Sequence, residues 1–150
     1  MSNLNNFILR EVGKLNRCVQ SISNINLKEI NLQKGQFIYL TEICEHPGIN
    51  QKDLTNILKV DKTSTSKAVK KLKKIGYIKR VKDEDDKRVW NLYPTAKGKK
   101  IYKVVIAEEN RNLNICLTDF NEQEKELIYN LVKRMRENIE VDWHKIKMDF

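Results

Sequence analysis

The sequence predicts a mainly α-helical fold with a small β-hairpin wing, a winged helix-turn-helix flanked by long N- and C-terminal helices. Three observations carry that prediction. Residues 50–92 read in order as a short helix, a turn, a lysine-rich helix and a hairpin with a charged tip. Apolar residues near both ends of the chain recur at steps of three and four along one narrow stripe, as on helices that pack against other helices. Positive charge crowds into the middle. Residues 59–103 hold 16 Lys and Arg against 5 Asp and Glu, while the rest of the 150-residue chain holds 13 against 15, so the net +9 belongs to the middle.

The first helix is expected over residues 4–22, with Leu4, Ile8, Val12, Leu15, Val19 and Ile22 on one seam. Asn24, Asn26 and Asn31 then interrupt the pattern. A second helix is expected over 32–44, with Phe37, Leu40, Ile43 and Cys44 inward and a stop at His46-Pro47-Gly48. Asn50 caps the third helix and forms a capping-box-like pair with Asp53. Asp61 caps the fourth, over 61–75, where its carboxylate can accept the amides of Thr63 and Ser64.

That fourth helix divides cleanly by face. Thr65, Ala68, Val69, Leu72 and Ile75 share one side, and Thr63, Ser66, Lys67, Lys70 and Lys74 lie opposite. Gly76 supplies the positive φ that ends it. Residues 77–82 and 89–93 are rich in β-formers and pair as a hairpin. Pro94 breaks the second strand, and Thr95 caps a long helix over 96–117 carrying Ile101, Val104, Val105, Leu113 and Cys116. Asn121 and Glu124 make another capping-box-like pair. The last helix then carries Ile128, Val132, Met135, Ile139, Trp143 and Ile146 on one seam.

Localised positive charge on a reading helix is the electrostatic footprint of a polyanion-binding face. Small hydroxyls near the helix start let backbone approach base edges, and lysines further along reach phosphates. The candidate DNA contacts are Thr63, Ser64, Ser66, Lys67, Lys70, Lys71 and Lys74 on the helix, with Arg80, Lys82, Lys87 and Arg88 on the wing (78–92). Four carboxylates at 83–86 oppose that reading, since like charges repel phosphates. One resolution makes Asp83 and Asp86 wing organisers that bond loop amides and brace Arg88 for the narrow minor groove. The alternative is a solvated turn whose charges keep a strand edge from pairing.

The run 60–98 resembles the MarR family of winged-helix transcription regulators. The residues that carry the resemblance are DKTSTSKAVKKLKKIGYIKR at 61–80, DEDDKR at 83–88 and LYPTAKG at 92–98. They are similar to the family's reading helix with its Gly-hydrophobic-hydrophobic-x-Arg step, its Asp-Pro-x-Asp-Arg-Arg wing and its Leu-Thr-x-x-Gly start of helix five. The sequence departs from the pattern at Glu84, where the family often has proline, at Lys87 for its first wing arginine, and at the inserted Tyr93-Pro94. The resemblance implies a homodimer with intertwined terminal helices on a pseudo-palindromic double-stranded DNA operator. Each subunit would place its fourth helix in a major groove and the arginine at the Arg88 position in the flanking minor groove. Such proteins typically repress genes, often their own among them, and release DNA on binding a small ligand or on oxidation. The effector crevice would be lined from the first, second and fifth helices.

On this reading residues 1–31 and 118–150 form the helical dimerisation region, through Ile8, Val12, Leu15, Val19, Ile128, Val132, Met135, Ile139 and Trp143. Residues 32–98 form the DNA-binding domain and 95–117 the connecting helix. Other chemistry has little support. His46 and His144 sit in no catalytic or metal spacing, Cys44-x-His46 reads as incidental, and five scattered glycines form no phosphate loop. No enzyme activity, metal or cofactor is expected. Cys18 borders the first seam and is expected to be a buried structural cysteine; the alternative is a redox sensor. Cys18, Cys44 and Cys116 imply no disulfide framework, and with neither a signal peptide nor a ~20-residue apolar run the reading is cytoplasmic, without a membrane. A competing function is a winged-helix module that binds a protein and no DNA. An outward face of lysines and hydroxyls argues against it, as does the apolar character expected of a protein-binding surface.

Overall fold

The computed structural model describes residues 1, 3–32 and 35–148. Element order is α1 (Ile8–Asn26), a 3-10 turn (Lys28–Ile30), α2 (Phe37–Glu45), β1 (Ile49–Asn50), α3 (Gln51–Leu58), α4 (Lys62–Lys74), β2 (Ile78–Lys82), β3 (Trp90–Pro94), α5 (Ala96–Cys116) and α6 (Glu122–Met148). The mainly helical winged architecture is therefore as expected. The chain divides into two compact units, 1–112 and 113–150.

In the first unit the core gathers α2, α3 and α4 against the sheet, with Leu40, Ile43, Leu54, Leu72, Leu92 and Val105 fully buried. Each such side chain contributes about 1.5–3 kcal/mol relative to leaving it in water. α1 begins at Ile8, later than expected, where Asn6 Oδ1 accepts the Ile8 amide at 2.9 Å. It also runs on through Asn24 and Asn26. Tertiary partners outweigh the poor helix propensity of asparagine here. Asn26 donates to Glu108 Oε1 on α5 at 2.9 Å, and Asn112 of α5 donates to the buried Ser23 hydroxyl at 2.9 Å.

α2 starts at Phe37, five residues later than expected, and Gly35 just before it holds a positive φ of 76, in a turn. Residues 33 and 34 of the expected helix lie outside the described residues, as do 2, 149 and 150 of the expected terminal region. Leu32 is fully buried although it is not helical.

The sheet has a strand that the sequence reading missed. Ile49 and Asn50 pair antiparallel with Leu92 and Asn91, giving the order β1-β3-β2. Two residues are too few to show alternation. Pro94 is the last residue of β3, opposite Ile78, one residue beyond the expected strand, which ends there as expected. β1 reaches only Asn91 and Leu92, so at Pro94 the sheet is two-stranded and a missing amide is tolerated.

The start of α5 is tied to the end of α4. Thr95 Oγ1 donates to the Gly76 carbonyl at 2.6 Å and accepts the Gly98 amide at 3.0 Å, so it caps the helix as expected. On α5, Val105, Glu108 and Asn112 are buried, whereas Val104 is 47% exposed, because α5 turns a partly polar face toward α1. In the second unit Asn121 and Glu124 cap α6 reciprocally, at 2.8 and 3.0 Å. Leu113 and Cys116 are exposed.

Candidate nucleic-acid interface

The reading helix is fixed at its first turn. Asp61 Oδ1 accepts the Ser64 amide at 2.7 Å and Oδ2 accepts the Ser64 hydroxyl at 2.8 Å. The Ser64 side chain thus turns back onto the cap. Opposite the buried Thr65, Ala68, Val69 and Leu72, the residues Thr63, Lys67, Lys70 and Lys74 are exposed, with Ser66 and Lys71 half-buried at the margins. α4 therefore presents hydroxyls at its N-terminal end and ammonium groups along its length. Lysine stems reach phosphates while the helix backbone stays close to base edges.

The wing tip is an ordered carboxylate scaffold. Asp83 Oδ2 accepts the amides of Asp85 and Asp86, at 3.1 and 3.0 Å, and Oδ1 accepts Asn91 Nδ2 at 2.9 Å. Asp86 accepts the Arg88 amide at 3.0 Å and grips its guanidinium through Nε and a terminal nitrogen, both at 3.1 Å. Hydrogen bonding from Asn91 holds the Asp83 carboxyl below the usual range, and the Arg88 fork does the same for Asp86. Arg88 itself stays 90% exposed. A guanidinium that is both oriented and solvent-facing suits a groove better than one buried in a pair.

Two wing residues with a part in the site went unrecognised in the sequence. Trp90 is not among the expected contacts, yet the Arg80 guanidinium lies 4.5 Å from its ring centroid and Lys82 Nζ lies 5.3 Å away. The hairpin register explains this. Lys82 pairs with Trp90 and Arg80 with Leu92, so both cations share the face of the indole. Asn91, which closes the Asp83 scaffold, was passed over entirely. Strand alternation would have found the first, and only the loop geometry reveals the second.

The seam residues are placed as follows. On α1, Ile8, Val12 and Leu15 are exposed and Val19 half-buried. On α6, Ile128, Val132 and Ile139 are exposed, and Met135 and Trp143 half-buried. A groove of about 410 Å³ in the second unit is lined by Leu113, Leu117, Ile128, Tyr129 and Val132, with Lys125, Lys133 and Arg136 at its rim.

The cysteines correct one expectation. Cys18 is exposed in this chain, not buried, because it sits beside the α1 seam and the seam itself is uncovered. Cys44 is half-buried, and burial pushes its thiol up to about 11. His46 Nδ1 faces Glu42 Oε2 at 3.1 Å, and no group of three His, Cys, Asp or Glu among the described residues has a metal-holding arrangement. No helix among the described residues is long and apolar enough to cross a membrane.

Comparison with known proteins is consistent across sequence and structure. The profile of the MarR family matches residues 32–90. The uncharacterized HTH-type transcriptional regulator YybA of Bacillus subtilis (strain 168) is 44% identical over 142 residues, 95% of this chain and 95% of that protein. A MarR protein from Peptoclostridium difficile DA00132 superposes with a TM-score of 0.92 at 49% identity, covering 97% of this chain and 95% of that one. A MarR-type regulator from Listeria monocytogenes, solved in complex with 26mer DNA, gives 0.91 at 40% identity over 99% of this chain and 96% of that one. This chain belongs to the MarR family of transcriptional regulators, which are not enzymes.

Proposed function

We propose that this chain is a cytoplasmic transcriptional repressor that binds a pseudo-palindromic DNA operator as a homodimer and lets go when a small ligand binds. α4 enters a major groove and the wing carries Arg88 to the adjacent minor groove. The observation that carries this reading is the two-faced α4: Thr65, Ala68, Val69 and Leu72 are buried, and the opposite side is a run of exposed lysines and small hydroxyls beside a braced wing arginine. A protein-docking helix would show apolar side chains there. The Listeria relative, solved in complex with 26mer DNA, supports DNA as the partner.

In this reading residues 1–31 and 118–150 are the dimerisation region, 95–117 the connecting helix and 32–98 the DNA-binding domain. Support comes from exposure: Ile8, Leu15, Val132 and Ile139 are between 44% and 62% exposed in the single chain, on seams too regular for a solvated surface. Two-fold symmetry would set the half-sites about one helical turn apart.

Titration against the intergenic DNA upstream of its own gene, with excess random competitor at two salt concentrations, tests the proposal. Binding to a short inverted repeat that survives the competitor is expected. Loss of all binding to the competitor would leave only phosphate attraction, and absence of binding at both salts would return the module to protein recognition. Exposure of Cys18 favours one second reading, release by thiol oxidation. A Cys18→Ser protein that peroxide still dislodges from DNA would dismiss it.

A further inference from the structure

Two buried hydroxyls meet beneath the N-terminal half of α4, in a core otherwise made by Leu54, Ala68, Val69 and Leu72. Thr65 of α4 is 1% exposed, and Thr55 of α3 is buried with it. Thr55 Oγ1 lies 2.8 Å from Thr65 Oγ1 and 2.8 Å from the Gln51 carbonyl. Thr65 Oγ1 lies 3.1 Å from the carbonyl of Asp61, the residue that caps the helix.

Thr55 Oγ1 donates to Thr65 Oγ1, sharing its proton with the Gln51 carbonyl, and Thr65 Oγ1 donates to the Asp61 carbonyl. Each threonine keeps a carbonyl acceptor on its own helix, but the bond between the two hydroxyls forms only when α3 and α4 hold one mutual arrangement. A helix that slides or tilts breaks that buried bond, which an apolar contact of the same shape would not register so sharply. Valine would fill the volume of either threonine, so the hydroxyls supply geometry more than packing.

We propose that Thr65 and Thr55 are positioning residues for base selection, a hydroxyl junction that sets the height and angle at which α4 meets DNA. The inference rests on the reading of α4 as the element that enters the major groove. Base-edge hydrogen bonds are short and directional and fail with small displacements, whereas attraction to phosphate falls slowly with distance. Loosening the junction therefore removes selectivity while leaving general DNA affinity in place.

The test uses the full chain as wild type, Thr65→Val, Thr65→Ser and Thr55→Val, each first checked for a cooperative thermal transition. Wild type is used to select duplexes from a random-sequence library, and every protein is titrated against the enriched duplex and the random pool. Both valine variants are expected to lose about ten-fold in the ratio of the two affinities, with random-pool affinity unchanged. Thr65→Ser, which keeps the hydroxyl, is expected to retain the ratio. A Thr65→Val protein with the wild-type ratio, or with both affinities reduced in parallel, overturns the inference. Should Thr65→Val not fold, Thr55→Val decides by the same ratio, since Thr65 there keeps the Asp61 carbonyl. Failure of wild type to enrich any sequence would defeat the major-groove reading itself, before any variant is compared.

Discussion

Asp86 and Arg88 form a closed clasp at the wing tip. Both carboxylate oxygens engage the guanidinium at 3.1 Å, and the same carboxylate takes the Arg88 amide at 3.0 Å. The pair spans only two residues, so the arginine's angle is set by the loop and not by the length of its side chain. Asp86→Asn keeps the shape and removes the charged fork. It should weaken operator binding several-fold, less than the ~ten-fold expected of Arg88→Ala if that arginine makes one good groove contact. Tighter binding by Asp86→Asn in a fluorescence titration would mean that the carboxylate only repels phosphate.

The same carboxylates give the wing a defined acid limit. Asp83 and Asp86 are both held below the ordinary aspartate value of 3.8, by Asn91 and Arg88 respectively. A carboxyl whose folded pKa is depressed adds order that is present above its unfolded pKa and disappears as pH falls through the folded one. The wing should therefore stay formed through neutral and mildly acidic pH. The amide resonances of Asp85, Asp86 and Arg88, followed by NMR, should move with a midpoint below 3.8. A midpoint at or above that value would show that these bonds do not organise the loop in solution.

Trp90 carries a prediction of its own. Arg80 and Lys82 both lie within cation–π range of its ring, which keeps two flexible cations over one face of the hairpin. Trp90→Leu preserves an apolar side chain and removes the π face. DNA affinity should fall several-fold with a melting temperature close to wild type. In a Trp143→Phe background, DNA should also change the emission of Trp90, the one tryptophan then left. Full affinity in Trp90→Leu would reduce Trp90 to ordinary packing.

What was legible in the sequence follows from how local each signal is. Caps at Asn50, Asp61, Thr95 and Asn121 were readable because the donor and acceptor lie three residues apart. The faces of α4 were readable because a 13-residue helix repeats its period more than three times. α1 defeated the reading at Asn24 and Asn26 because the partners that keep it helical, Glu108 among them, lie 82 residues away. β1 was invisible for the same reason, since its only signal is pairing with Leu92 and Asn91. At the wing the charges were plain, but which carboxylate held which partner depended on loop geometry, and Asn91 gave no sign.

The Thr-x-x-Gly step at 95–98 is legible and also physically decisive. A Cβ built on Gly98 would stand 2.0 Å from the Tyr77 carbonyl oxygen and 2.9 Å from its carbon, both backbone atoms that no rotamer change can move. Thr95 binds the neighbouring Gly76 carbonyl and donates its own amide to Tyr77, so the first turn of α5 is pressed onto the end of α4 from two directions. Gly98→Ala must push the helix away and break at least one of these bonds. Overpacking on this scale costs about 3 kcal/mol or more, enough to lower the melting temperature markedly. Thr95→Ala should cost less, about 1–2 kcal/mol, because it removes a cap without a clash. Thermal denaturation of both variants checks the order. If Gly98→Ala proved the milder change, α5 would have to approach Tyr77 less closely in solution than it does here.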